Sequence, residues 1–130
     1  MLRILVVDTF TPFRESLQSL LQDKFTDAVI KSVETCMGAE KEMSLFSPEI
    51  VFINIHLSTG KGFELARMIK RRYPAITILA LADSDLPEYH VASRRCGIDF
   101  FVPKDQWPVE KMLALVDSIL MNGEAIFQGD

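Results

Sequence analysis

The stretch that decides the fold is Pro48-Glu49-Ile50-Val51-Phe52-Ile53-Asn54. Four consecutive apolar side chains in it lead directly into the polar amide of Asn54. A turn with the glycine pair Gly60-Lys61-Gly62 follows, and then a helical pattern that places Leu65 and Ile69 on one face. A short run that is apolar at every position is typical of a parallel strand covered on both faces. The segment therefore predicts a buried strand that presents Asn54 at its carboxyl end, with a helix after it.

Four further apolar runs predict four more strands. They are Leu2 to Val7, Ala28 to Val33, Ile76 to Leu81 and Ile98 to Val102. Most of these runs are almost continuously apolar, which again favours a parallel sheet with both faces covered. The run from Ala28 is interrupted by Lys31 and Ser32, so we expect it at an edge of the sheet.

Helical patterns alternate with the strands five times, starting near Thr11, Cys36, Gly62, Leu86 and Trp107. Thr11 is the predicted N-cap of the first helix, with Pro12 at its first position. Gly97 is predicted to end the fourth helix in a left-handed conformation. Strict alternation predicts an α/β fold with a doubly wound, five-stranded parallel sheet and five helices. Five strands in a chain of this length favour the flavodoxin-like strand order 2-1-3-4-5.

The bulk composition fits a single globular domain. The chain has 130 residues, of which 48% are hydrophobic and 25% charged. A net charge of −4 argues against direct nucleic-acid binding by this domain. The apolar runs are too short to cross a membrane, and the start does not resemble a signal peptide. Cys36 and Cys96 are expected to be unpaired thiols, and we expect a cytoplasmic protein.

In sheets of this type the functional crevice lies at the carboxyl ends of the strands, where the strand order reverses. That rule points to Asp8-Thr9, to Asn54 through Gly60, and to Ala80 through Asp85. Taken alone, Asn54 also fits a simple turn former at a strand end.

Three segments resemble the receiver domain of bacterial response regulators. They are Val6 to Glu15, Pro48 to Leu65 and Cys96 to Asp105. The resemblance implies a phosphorylation switch. In that family, two acidic residues after strand 1 and an acceptor aspartate after strand 3 hold Mg²⁺. A hydroxyl at the end of strand 4 and a lysine after strand 5 then contact the phosphoryl group.

This chain keeps part of that set. Asp8 matches the first acidic position and Lys104 matches the lysine. Thr9 stands where the second acid is expected, Asn54 stands at the acceptor, and Ala82 stands at the hydroxyl position. An amide has no anionic oxygen with which to attack phosphorus, so the resemblance predicts a vestigial phosphorylation pocket.

The charges in this pocket also differ from those of a complete site, which has three carboxylates and one lysine. Here only Asp8 and Lys104 remain, and their charges cancel. We therefore expect the two to pair directly, with Mg²⁺ binding weak or absent and no other cofactor. Asn54 can then donate a hydrogen bond to Asp8 or accept one from Lys104.

The resemblance also implies an interaction face, formed by the fourth helix, the fifth strand and the fifth helix. Phe101 matches the aromatic switch position, and Tyr89, Arg94 and Trp107 are expected nearby. This face is a candidate homodimer or partner surface. His90 is expected at the surface. His56 is a poor substitute phosphoacceptor because both reach and metal support are missing.

Three functions compete. The leading one is a phosphorylation-independent protein-interaction module in signalling, without enzymatic activity. The alternative is the N-terminal receiver of a DNA-binding transcriptional regulator that still responds to phosphorylation at a non-standard site or to a small ligand. A flavodoxin-like cofactor protein is disfavoured, because the loop after strand 1 has no glycine and Pro12 removes an amide donor.

The receiver-like domain is predicted over residues 1–122, and residues 123–130 are predicted to be a tail or the start of a linker. The sequence shows no helix-turn-helix pattern. It therefore fits either a single-domain adaptor or a piece of a longer protein, and the second is favoured.

Overall fold

The computed structural model describes residues 1–122, so the predicted tail or linker at 123–130 lies outside the described residues. Within them, the strands are β1 Arg3–Val7, β2 Val29–Val33, β3 Ile50–Asn54, β4 Thr77–Ala82 and β5 Phe100–Pro103. They form one parallel sheet in the order β2-β1-β3-β4-β5. The predicted flavodoxin-like order is confirmed, with the polar β2 at an edge.

The helices follow the strands in alternation. They are α1 Thr11–Lys24, α2 Cys36–Leu45, α3 Leu57–Gly60, α4 Gly62–Arg72, α5 Pro87–Arg95 and α6 Val109–Asn122. The five longer helices are the five that were predicted. The single turn α3 occupies the loop after β3, so the predicted fourth and fifth helices are α5 and α6. Within residues 1–122, every helix is too short or too polar to span a bilayer.

The two faces of the sheet bury separate apolar cores, because successive side chains of a strand point in opposite directions. In β3, Ile50 and Phe52 pack on the side of α1 and α6. Val51 and Ile53 pack on the side of α2 and α4. A smaller cluster with Ala80 and Ala82 lies against α5, a helix whose only buried residue is Ser93.

One predicted helix end is wrong and another is confirmed. Thr11 lies inside α1 rather than at its cap, and Phe10 holds the cap position without a side-chain hydrogen bond. The Phe10 N–H donates to the Asp8 carboxylate at 2.9 Å, so the residue directly after β1 satisfies this amide. At the other helix, Gly97 follows α5 with φ +78°, the left-handed conformation that glycine adopts most readily.

Gly62 explains how α4 begins directly beneath the end of β3. A Cβ atom at this position would lie 2.2 Å from the Asn54 carbonyl oxygen and 2.6 Å from the Ile55 Cα. Only a residue without a side chain permits this approach. The second glycine of the Gly60-Lys61-Gly62 stretch therefore allows α4 to pack closely against the end of β3, at Asn54 and Ile55.

Candidate functional site

The centre of the site is the Asp8 carboxylate at the end of β1. Asp8 is fully buried. One carboxylate oxygen, Oδ1, accepts from the Phe10 N–H at 2.9 Å and from Asn54 Nδ2 at 3.1 Å. The other, Oδ2, accepts from Lys104 Nζ at 2.9 Å. The expected pair between Asp8 and Lys104 is therefore present. Three hydrogen-bond donors together compensate the burial of the Asp8 charge.

Lys104 reaches the pocket from the residue after β5. Its backbone N–H donates to the Ala82 carbonyl at 2.7 Å, which ties the strand ends together. Its ammonium lies between the Asp8 carboxylate and the ring of Phe13, 4.0 Å from the ring centroid. An anion on one side and an aromatic face on the other both stabilise the charged ammonium.

Asn54 uses both ends of its amide. Nδ2 donates to Asp8, and Oδ1 accepts the His56 N–H at 2.8 Å. Of the two hydrogen bonds expected for this amide, the one to Asp8 has formed. Asn54 is only 6% exposed, and both ends of its amide are hydrogen-bonded. One orientation of the side-chain amide is therefore favoured.

The other two residues that the resemblance singles out contribute differently. Thr9 is exposed in the turn between β1 and α1. Ala82 is fully buried at the end of β4 beside Pro103, and it supplies the backbone carbonyl that holds Lys104. The structure thus brings together the side chains of Asp8, Asn54 and Lys104, with only backbone from Ala82.

Arg14 is a buried member of this region that the sequence reading did not single out. It is 8% exposed, and its Nη1 donates to the Asp8 carbonyl at 3.1 Å and pairs with Glu34 at 3.2 Å. Its position three residues before Leu17 and seven before Leu21 puts it on the buried stripe of α1. That spacing was the signal that could have identified it.

An aromatic cluster extends from the pocket loop to β5. The His56 ring lies 5.5 Å from the Tyr89 ring, and the Phe101 ring lies 6.5 Å from Tyr89 and 4.3 Å from His90. His90 lies at the surface as expected and is half-exposed, while its ring packs on Phe101 and its Nε2 contacts the Asp85 carboxylate. His56 donates its backbone N–H to Asn54 and packs its ring on Tyr89, so it connects the pocket to the face around Phe101.

The two remaining candidate interface residues lie apart from this cluster. Trp107 packs against the core beneath α1 and α6, with the ammonium of Lys111 4.2 Å from its ring. Arg94 is exposed in the last turn of α5. Phe101 and Tyr89 are therefore in mutual contact, whereas Trp107 is largely a packing residue.

Comparisons with known proteins agree with this fold. The chain matches the family described as the response regulator receiver domain over residues 4–117. The sensory transduction protein LytT of Bacillus cereus is 34% identical over 83 residues, covering 63% of this chain and 34% of the relative. The sensory transduction protein BceR of Halalkalibacterium halodurans is 28% identical over 117 residues, covering 90% and 48%.

The fold also recurs among solved structures. A two-component response regulator from Clostridium difficile superposes with a TM-score of 0.85 at 21% identity, covering 93% of this chain and 97% of that chain. The present chain spans 34% and 48% of the length of the two sequence relatives. The family match covers most of the chain, and so this protein belongs to the response regulator receiver domain family of two-component signalling.

Proposed function

We propose that this receiver domain acts as a protein-interaction module whose state does not depend on phosphorylation. The observation that carries the proposal is the three-way contact of Asp8, Asn54 and Lys104. The resemblance places Asn54, an amide, at the phosphoacceptor position, and its nitrogen donates to the buried Asp8 carboxylate. It places Lys104 at the position of the lysine that contacts the phosphoryl group, and this lysine pairs with the same carboxylate.

The donor set in the pocket does not fit Mg²⁺. That ion requires near-octahedral oxygen ligands and is held in proteins chiefly by carboxylates. Within residues 1–122, no group of three His, Cys, Asp or Glu side chains converges. The one pocket carboxylate, Asp8, already accepts three hydrogen bonds, and the Asn54 oxygen accepts another. A divalent cation would have to displace the Lys104 ammonium.

Receiver domains interact with partner proteins in signalling, and the face around Phe101 is the proposed contact surface here. It combines the aromatic rings of Tyr89 and Phe101 with two exposed apolar side chains. These are Val91 in α5 and Leu86, the residue directly before α5. Aromatic residues with a polar rim are typical of protein interfaces. The contact between His56 and Tyr89 supports coupling between this face and the pocket loop.

Intact-mass spectrometry after incubation with Mg²⁺ and acetyl phosphate tests the proposal, with the Asn54→Asp variant beside the natural protein. We expect no added phosphoryl group on the natural protein. A stoichiometric adduct on it would overturn the proposal. Labelling of Asn54→Asp alone means that only the nucleophile is missing, whereas an unlabelled variant means that Thr9 and Ala82 matter as well.

A second candidate is the receiver part of a longer DNA-binding regulator that responds to another signal at this pocket. It is favoured by the length of the relatives, of which this chain spans half or less. Titration with candidate small ligands, followed by the melting temperature, separates it from the first proposal. A ligand that raises the melting temperature of the natural protein but not of a Lys104→Met variant would support it.

A further inference from the structure

Five arginines lie on α4 and at the C-terminal end of α5, away from the pocket. They are Arg67, Arg71, Arg72, Arg94 and Arg95, and we call them the arginine surface. All five are exposed. Among residues 1–122, none of them forms an ion pair with a carboxylate.

Among the arginines of residues 1–122, the lack of an ion-pair partner is confined to this surface. The other two arginines of the chain, Arg3 and Arg14, are paired with Glu49 at 3.7 Å and with Glu34 at 3.2 Å. Acidic residues outnumber Lys and Arg by 18 to 14, so carboxylates are in excess in the chain as a whole. The arginine surface therefore collects cations where the protein places no compensating anion within ion-pair distance.

The C-terminal end of α5 lies against α4. A Cβ atom at Gly97, just after α5, would lie 2.9 Å from the Lys70 side chain of α4. Burial raises the pKa of the Cys96 thiol, and the charge of Arg67 partly opposes that rise. Arg67 is thus near the end of α5, the helix whose last turn carries Arg94 and Arg95.

A groove of about 500 Å³ lies on the α4 part of this surface, lined by Arg67, Arg71, Arg72, Met68 and Glu64. Arg67 and Arg71 are four residues apart on one helix face, so their side chains are neighbours. Cations in the last turn of a helix are favoured by the helix dipole, which accounts for the arginines at the ends of α4 and α5. It does not account for Arg67, which lies in the middle of α4.

We propose that the arginine surface binds a short acidic segment of a partner protein. A guanidinium holds a carboxylate through two parallel hydrogen bonds, and the neighbouring arginines supply several such forks. The surface is about one helix long, and Glu88 at the opposite end of α5 is preceded by Asp83 and Asp85 in the loop after β4. A long nucleic acid would extend over these acids and be repelled, whereas a short peptide stays within the reach of the arginines. The proposal does not depend on the chemical state of the pocket.

The test uses a fluorescein-labelled hexaglutamate peptide and measures its anisotropy with the natural protein and three double variants. Arg67→Gln/Arg71→Gln is expected to weaken binding by about fivefold or more, because two charge-assisted contacts are lost. Lys24→Gln/Lys111→Gln removes the same charge elsewhere and is expected to stay within about twofold. Arg67→Lys/Arg71→Lys keeps the charge and is expected to fall between the two, because the forked contacts are lost.

Circular dichroism checks that all variants remain folded, since each substitution is at an exposed position. The proposal is overturned if the peptide does not bind, or if the control pair loses as much affinity as the arginine pair. It is also overturned if a DNA duplex of similar charge binds more tightly than the peptide. Salt-sensitive self-association at the concentrations used would assign the surface to a second copy of this chain instead.

Discussion

Replacing Lys104 by methionine tests the energetic role of the pocket ion pair. Methionine keeps most of the length of the side chain and its contact with Phe13, but removes the ammonium that lies 2.9 Å from Asp8 Oδ2. Removing one partner of a buried pair costs about 3–5 kcal/mol when the other charge is left uncompensated. Asp8 retains two donors, from Phe10 and Asn54, so we expect a loss of about 2–3 kcal/mol in the free energy of unfolding.

The partner variant Asp8→Asn completes a double-mutant cycle. In Asp8→Asn/Lys104→Met no charge remains buried, and the amide oxygen can still accept from Phe10 and Asn54. The double variant is therefore expected to lose less than the two single variants added together, with a coupling of about 1–3 kcal/mol.

Urea unfolding followed by far-ultraviolet circular dichroism gives these free energies. For a domain of this size the slope is about 1–3 kcal/mol per molar urea, so the Lys104→Met midpoint should fall by roughly 1–2 M. Lys111→Met is the matched control, because the Lys111 ammonium lies on the Trp107 ring and forms no ion pair within residues 1–122. This substitution should lower the free energy of unfolding by less than about 1 kcal/mol. Equal losses in the two lysine variants, or additive effects in the cycle, would refute the reasoning.

Three further predictions follow from the local geometry. Gly62→Ala places a methyl group 2.2 Å from the Asn54 carbonyl, so it should destabilise the domain by about 2–3 kcal/mol; a melting temperature within a degree of the natural one would contradict the close approach. Thr35→Ala removes the side-chain cap of α2 and should cost about 1 kcal/mol in urea unfolding, which Thr35→Ser should largely restore. Burial raises the pKa of the Cys96 thiol above its ordinary value, so less thiolate is present at pH 8. Cys96 should therefore react with iodoacetamide more slowly than a thiol in an unstructured peptide. An equal rate would count against the raised pKa.

The helical spacing of Arg14 indicates that it is buried in α1, although a charged residue is usually exposed. Arg14 lies on the same helical stripe as Leu17 and Leu21, and a charged residue there reads at first as a break in amphipathicity. The structure satisfies it with the Asp8 carbonyl, the Ser32 hydroxyl and the Glu34 carboxylate. A buried guanidinium is stable only with such partners, and these come from the residue after β1, from β2 and from the residue after β2.

The sequence by itself determined the strands, the five longer helices and the order of the sheet. Continuous apolar runs and helical periodicity are local properties, and right-handed crossovers leave few ways to connect them. The spacing of Asp8, Asn54 and Lys104 in the chain also follows from this pattern, because the carboxyl ends of neighbouring strands meet at one edge.

The tertiary structure alone decided which atoms meet. Asp8 lies 46 residues from Asn54 and 96 from Lys104, and nothing local selects the Asn54 hydrogen bond to Asp8 over one from Lys104. It also decided that Phe10 rather than Thr11 is the N-cap of α1, that the Phe10 N–H donates to Asp8, and that Arg67 of α4 lies near the end of α5. Periodicity specifies the face on which a side chain lies, whereas its hydrogen-bond partner depends on the packing of elements that are distant in the chain.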